Sequence, residues 1–357
     1  MVEDTFKANV SSIKISMHDN FSFEVTVLCI CRGVVSFLGI IGSSLTIRTF
    51  VAMGLKDGVT LSFLFLSVSD LLYLISITAA SVSYIFLSIE LLSHFAVYFP
   101  VDPYGVNKYF INTASGFFAN TVLTITFLSI ARCLSVARPM WFRRELGTRK
   151  TAVVFITTSA LFCVTTSIPV LSWMGIIPLH DARLNVTRPT FWISPNRKWA
   201  TYVIWPVRDT ALPFAVQLVL IVCALTMRKF LKSALKFRQK HTTSRVVPAL
   251  RILPKHHSVD HTGKILVQTG VTLSGKELQI IQQMFVLSVL FIVASVPKVY
   301  FNTAKLIFPE FSLDGKYGRL YECMDVTKDA FQMLYSCGNT FIYYRYNSKF
   351  RALFWRQ

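Results

Sequence analysis

Five places in this 357-residue chain put charge where charge is costly. Asp70 is the only charged residue between Val59 and Ile89. Arg132 closes a run from Tyr109 to Ala131 that has none. Arg208-Asp209 stands about one helical turn before Pro213, and Lys298 directly follows the uncharged stretch Leu278–Pro297. Lys328-Asp329 interrupts the last apolar segment. An ionised side chain at the centre of a bilayer costs about 2.5–3.5 kcal/mol on insertion scales, so each such residue is a functional candidate by default. The chemistry these residues offer is recognition of a charged ligand, binding of an ion, or a charge-based switch. Zinc-ligand spacing, a phosphate loop and a nucleophile triad are all absent from the sequence, so no catalytic residues and no enzyme activity are expected.

The elements that position these charges are long apolar runs. The chain is 53% hydrophobic and 15% charged, with a mean hydropathy of +0.51. That balance indicates a polytopic, all-α membrane protein. The net charge of +19 lies between the runs, where the positive-inside rule accounts for it without nucleic acid. The patterning predicts a polar N-terminal segment over 1–24 and a membrane domain over 25–344. Spans are expected near 25–51, 59–89, 109–131, 151–172, 201–227, 277–297 and 325–344. The stretch 228–276 holds eleven Lys/Arg and a single acid, Asp260, which marks it as an inner loop, flexible in its middle and helical near its ends. Over 345–357, Phe350, Leu353 and Phe354 recur at helical spacing among basic residues, as in an amphipathic helix lying on a membrane face. Sequons at Asn9, Asn20 and Asn185 fall on the side opposite the basic loops, so N-glycosylation and an extracellular N-terminus are expected. Arg32, in the outer half of the first span, either snorkels or lines a polar interior. The seven cysteines leave at least one unpaired within the chain; a link from Cys29 or Cys31 to Cys323 stands open beside free thiols.

Ser129-Ile-Ala-Arg-Cys-Leu-Ser-Val-Ala-Arg-Pro139 resembles the inner end of the third helix of rhodopsin-like (class A) G-protein-coupled receptors. Other segments fit the same order: Leu66-Ser-Val-Ser-Asp70, Pro169, Pro213, Phe291-Ile-Val-Ala-Ser-Val-Pro297, and Ser336-Cys-Gly-Asn-Thr-Phe-Ile-Tyr343. Met53-Gly-Leu-Lys-Asp-Gly-Val-Thr60 is similar to the invertebrate branch described as chemosensory or FMRFamide-receptor-like. The departures are also specific. Ala131 and Cys133 flank the arginine, Ser295 replaces the toggle tryptophan, and Thr340 fills a proline slot. Asn107 stands where the family has a disulfide cysteine, and its partner loop, 175–198, has no cysteine, so packing or hydrogen bonds must hold that loop.

The resemblance implies a seven-transmembrane helix bundle with a short amphipathic C-terminal helix. It implies an inactive-state lock between Arg132 and Glu277, with Tyr343 in the same coupling region, released by outward movement of the sixth helix toward a heterotrimeric G protein. Asp70, Thr121, Ser336 and Asn339 fall near the family's sodium site; the alternatives are a bound sodium ion or a hydrogen-bonded network without one. Arg208, Asp209, Lys298, Lys328 and Asp329 fall at the depth of ligand contacts. A mixed-charge pocket suits a peptide, an amino acid or another small zwitterion at the plasma membrane. Ala114 and Met333 replace the amine-binding aspartate and the opsin lysine, so monoamines and retinal are not expected, nor is any cofactor beyond sodium. Membrane lipid is the other expected partner. Two further readings stay open: a receptor fold without G-protein coupling, acting as scavenger or silent dimer partner, and a channel or transporter, against which stands the lack of an inverted repeat.

Overall fold

The apolar runs are long and carry few breakers, so they fold as long helices. The computed structural model describes residues 23–55, 57–138, 141–142, 148–181, 184–194, 204, 206–245, 275–312 and 315–355, the side chains of 193, 233–245 and 275–278 excepted. In order, these form α1 (Phe23–Met53), α2 (Gly58–Leu92), α3 (Pro103–Ala137) and α4 (Arg149–Ser172). Strands β1 (Met174–Asp181) and β2 (Val186–Ile193) follow, then a π-helical turn, Pro206–Ala211. The chain continues as α5 (Leu212–Arg245), α6 (Gly275–Ile307), α7 (Gly318–Tyr346) and α8 (Ser348–Phe354).

Helix α3 is central and packs against α2, α4, α5 and α6, while α7 closes the bundle against α6, α1 and α2. An aromatic seam joins four of them through Tyr73–Phe118, Phe118–Phe291 and Phe291–Tyr335, at centroid distances of 5.6, 6.0 and 5.1 Å.

On α1 the polarity of the helix faces is the reverse of that in a water-soluble core. On α1, Ser36, Gly39, Ser43 and Thr46 are buried, while Phe37 and Leu38 are 58% and 61% exposed. Lipid tails are as apolar as leucine, so helices in a bilayer associate through close packing of small residues and hydrogen bonds. Both occur here. A Cβ on Gly39 would strike Cys337 Sγ of α7. Thr46 Oγ1 donates to Thr340 Oγ1 at 2.9 Å, and the Ser36 and Thr78 hydroxyls are 2.8 Å apart. Six of the described helices, α1 to α6 with the π turn counted into α5, are long and apolar enough to cross a membrane. The chain is a multi-pass helical membrane protein. Helix α7 is 29 residues long but carries Arg319, Glu322, Asp325, Lys328 and Asp329 in its first half, which lowers its apolar content below that of the six.

Several boundaries move from the expected ones. Helix α3 begins at Pro103, so 103–108 is helix rather than loop, and Glu90 belongs to α2. Pro103 sits at a helical first-turn position, where its missing N–H costs nothing and its fixed φ favours the turn. Helix α5 runs on to Arg245, well into the expected inner loop; 246–274, with Asn9 and Asn20, lies outside the described residues. Asn347 ends α7 and caps α8, its Oδ1 accepting from Phe350 N at 3.0 Å. The largest departure is the stretch after α4, which folds as an antiparallel β-hairpin, an exception to an all-α bundle. Thr187, Thr190 and Val186 favour a strand, and Asn185 makes the turn with a φ of 50°.

Candidate functional site

Beneath the hairpin lies a cavity of about 560 Å³, walled by α2, α3, the π turn, α6, α7 and β2. That size is typical of small-molecule sites. All five charges expected to contact a ligand, Arg208, Asp209, Lys298, Lys328 and Asp329, line it. Phe191 of β2 and Met174 of β1 reach it from above.

The π turn follows from Pro213. A proline lacks an N–H, so the carbonyl of residue 209 loses its ordinary helical donor and the preceding turn widens. Asn302 Nδ2 of α6 donates to that carbonyl instead. The widened turn presents Arg208 and Asp209 together. Arg208 Nη2 donates to Asp209 Oδ2 at 2.9 Å, and Ser115 Oγ of α3 donates to Asp209 Oδ1 at 2.7 Å. Lys298 Nζ lies 3.9 Å from the same oxygen and 4.7 Å from the Phe118 ring centroid. One carboxylate thus joins α3, the α5 entry and α6.

A second ionic group joins α1, α2 and α7. Lys328 Nζ bridges Asp325 at 2.9 Å and Asp329 at 2.8 Å. Arg32 settles its open alternative by turning inward. It is 2% exposed, donates through Nε to Ser81 Oγ at 3.0 Å and places Nη1 3.6 Å from Asp329 Oδ2. Tyr73 OH donates to the Asp329 carbonyl at 3.2 Å.

The hairpin is fastened by a third group that no local sequence signal announces. Arg188 Nη1 donates to Glu90 Oε1 of α2 at 2.7 Å and to the Phe99 carbonyl at 3.2 Å, while Nη2 lies 3.1 Å from Asp181 Oδ2 of β1. All three side chains are at most 5% exposed. Burial works to lower the pKa of the guanidinium, but the hydrogen-bonded Glu90 and the Asp102 and Asp181 charges hold it above its usual value. Asp102 N donates to the Pro189 carbonyl at 2.9 Å, and Asn107 Nδ2 donates to the Ala80 carbonyl at 2.7 Å. All seven cysteines are free, so Cys29, Cys31 and Cys323 are not linked. The expected hold on this loop without sulfur is therefore an ion cluster plus backbone bonds. Gly105 completes it: a Cβ there would lie 2.8 Å from Phe191 Cβ and 3.2 Å from the β2 backbone. Gly105→Val is expected to lift β2 and lower the melting temperature of the purified protein, with a cost of about 1–3 kcal/mol for overpacking. Gly338→Ala, in α7 where an added Cβ would meet nothing within 4 Å, serves as a control for mere loss of glycine.

Deeper in the bundle, Asp70 is 1% exposed and accepts from Thr121 Oγ1 at 2.9 Å, Ser336 Oγ at 3.0 Å and Asn339 Nδ2 at 2.7 Å. The expected polar core is thus assembled from α2, α3 and α7. Asn339 Oδ1 is buried with no hydrogen-bond partner.

The sequence matches no family model and no curated protein.

At the end of the bundle away from the hairpin, Arg132 is half-buried near the end of α3. Glu277 lies in the first turn of α6, but its side chain is outside the described part, and the expected ion pair with it. A different α3–α6 tie is present one turn deeper, where the Ser129 and Ser288 hydroxyls are 2.8 Å apart. Tyr343 is fully buried among Phe50, Phe63 and Phe350, at 5.2, 5.3 and 6.0 Å between centroids. Ser159 Oγ donates to Asn120 Oδ1 at 2.9 Å and fastens α4 to α3. Asn185 is exposed at the hairpin tip.

Proposed function

We propose that this chain is a rhodopsin-like G-protein-coupled receptor whose ligand enters the cavity under the hairpin from outside the cell. The observation that carries the reading is the convergence of all five predicted ligand-contact charges on that cavity. In this reading α7 is the seventh span, with Asp325, Lys328 and Asp329 turned toward the cavity and toward Arg32 rather than toward lipid. The hairpin, with exposed Asn185 at its tip, faces outside at the plasma membrane, and the basic stretch 228–276 faces the cytoplasm, where it meets G protein and anionic lipid. The ligand is a peptide, an amino acid or another small chemosensory molecule.

The mechanism begins where the ligand disturbs the contacts of Asp209. That carboxylate holds Ser115, Arg208 and Lys298, and its backbone carbonyl holds Asn302 of α6. A ligand that alters these contacts biases α6 against α3, and binding can shift such an equilibrium only by its differential affinity for the two arrangements. The motion passes the Phe118–Phe291 stack and ends at the Ser129–Ser288 bond, whose parting lets α6 swing outward beside Arg132.

The test is basal and ligand-driven G-protein activation in cells, across several Gα types, beside Arg132→Ala at matched surface expression. Activity in the native chain that the variant lacks is the expected result. Background-level signals from both, basal and ligand-driven and across all the Gα types, would move the weight to an uncoupled receptor fold.

Asp70, Thr121, Ser336 and Asn339 would hold a sodium ion, which would supply the positive charge that a buried carboxylate ringed by neutral donors requires. Asn339 Oδ1, buried without a hydrogen-bond partner, would be a further oxygen ligand, for which the equally unpartnered Tyr335 hydroxyl is the competing donor. Sodium, against choline at equal ionic strength, is expected to raise the melting temperature of the native chain and to leave Asp70→Asn unmoved. Linkage sets the size at up to about 2.7 kcal/mol when sodium exceeds its Kd a hundredfold. Equal melting in both salts would favour the ion-free network.

A further inference from the structure

Three polar residues of α6, Ser288, Ser295 and Asn302, recur every seven residues and so lie along one stripe of the helix. Each is tied to a neighbouring element. Ser288 pairs with Ser129 of α3, Ser295 with Gln217 of α5, and Asn302 with the Asp209 carbonyl of the π turn. The outer and inner ties are the two ends of the route from the cavity to Arg132. The middle tie has no role in that route, and it sits at the weakest point of α6.

Gln217 is the sole amide between Pro213 and Thr226, in an otherwise apolar part of α5. Its Nε2 donates to the Ile292 carbonyl at 3.1 Å and to Ser295 Oγ at 3.2 Å. Ser295 is 3% exposed and donates in turn to the Phe291 carbonyl of its own helix at 2.8 Å. Serine bonds of this kind bend a helix slightly. Two residues on, Pro297 has no N–H to give, which withdraws the helical donor from the Val293 carbonyl. The bond from α5 thus lands on the carbonyl next to the break. Beyond the break Asn302 holds the outer part of α6; before it Gln217 and Ser129 hold the inner part. Phe291, inside the same turn, belongs to the aromatic seam through Phe118 and Tyr335.

We propose that Gln217 is a positioning residue that holds the inner part of α6 against α5, so that its bond, as well as Ser129–Ser288, must part before α6 swings outward. The proposal rests on the receptor reading and adds to it the place where the helix is released.

The experiment is hydrogen–deuterium exchange on the purified full chain in lipid nanodiscs. Helix amides exchange through local opening, and a segment released from its neighbour opens more often. Gln217 is half-buried, so Gln217→Met keeps its shape and loses only the donor. It is expected to speed exchange about fivefold over 279–296, within the range of one hydrogen bond between membrane helices, and to leave α1 to α4 unchanged. Ser295→Ala, which spares the Ile292 bond, is expected to act more weakly, and the double variant by less than the product of the two. Unchanged exchange in α6 would overturn the proposal. Faster exchange spread over all the helices would also do so, since that is what a merely structural amide gives. A double variant equal to the product would place the effect of Gln217 outside this contact and overturn it too. Basal Gα activation is measured on the same variants. Faster exchange confined to α6 with no response from any Gα would keep the role of Gln217 and move the weight to an uncoupled fold. A Gα response from the native chain, with exchange unmoved by Gln217→Met, would do the reverse.

Discussion

Replacing Arg188 with alanine is expected to remove most of the folded protein from the membrane. The change deletes the shared counter-ion of Glu90, which is 1% exposed, and Asp181, which is 5% exposed, and leaves the Phe99 carbonyl without its donor. Breaking a buried pair from one side strands the other charge and costs about 3–5 kcal/mol. That is a large part of the 5–15 kcal/mol that typically separates folded from unfolded states. Melting temperature and the yield of monodisperse protein measure the loss. The companion variant Arg188→Met with Glu90→Gln and Asp181→Asn removes all three charges together and is expected to recover much of it. An Arg188→Ala protein that melts with the native chain would mean that the Pro189–Asp102 backbone bond and the Phe191 packing hold the hairpin unaided.

Asp209→Ala is the other large change. It strands Arg208, whose side chain is 1% exposed, takes the nearest carboxylate from Lys298, and leaves the Ser115 hydroxyl without its acceptor. The expected cost is again about 3–5 kcal/mol. Asp209→Asn keeps an acceptor for Ser115 and Arg208 and should fold, yet it loosens α6 from the α5 entry by removing the charge that attracts Lys298. The pair of variants separates stability from switching: alanine lowers melting and surface expression, whereas asparagine keeps expression and raises basal G-protein activity. Asparagine at native basal activity would show that Asp209 ties the helices without biasing their arrangement.

The long helices were legible because each is an apolar run closed by charge, proline or glycine. The five cavity charges were legible for a related reason, since a lone charge beside an uncharged run has few uses. Partners across the fold were not. Arg188 and Glu90 are 98 residues apart in sequence, and nothing local to either names the other. Arg32 and Asp329 are further apart still, so Arg32 could be seen as costly but not as paired. The hairpin was hidden by its prolines, which suggest a loop although Pro178 and Pro189 sit opposite one another in the register. Lys108 was hidden by the start of α3: placed in a loop it is an ordinary surface lysine, and placed on the first turns of a helix it lines the cavity.

The free state of all seven cysteines has a consequence for how the protein is made. A loop closed by sulfur waits for an oxidant and for the right pair to be found among several thiols. A loop closed by Arg188, Glu90 and Asp181 waits only for α2 to be inserted, since Glu90 is in place before the hairpin is synthesised. Closing the hairpin then requires no thiol oxidase or isomerase, and reductant added during biosynthesis is expected to leave the hairpin where it is.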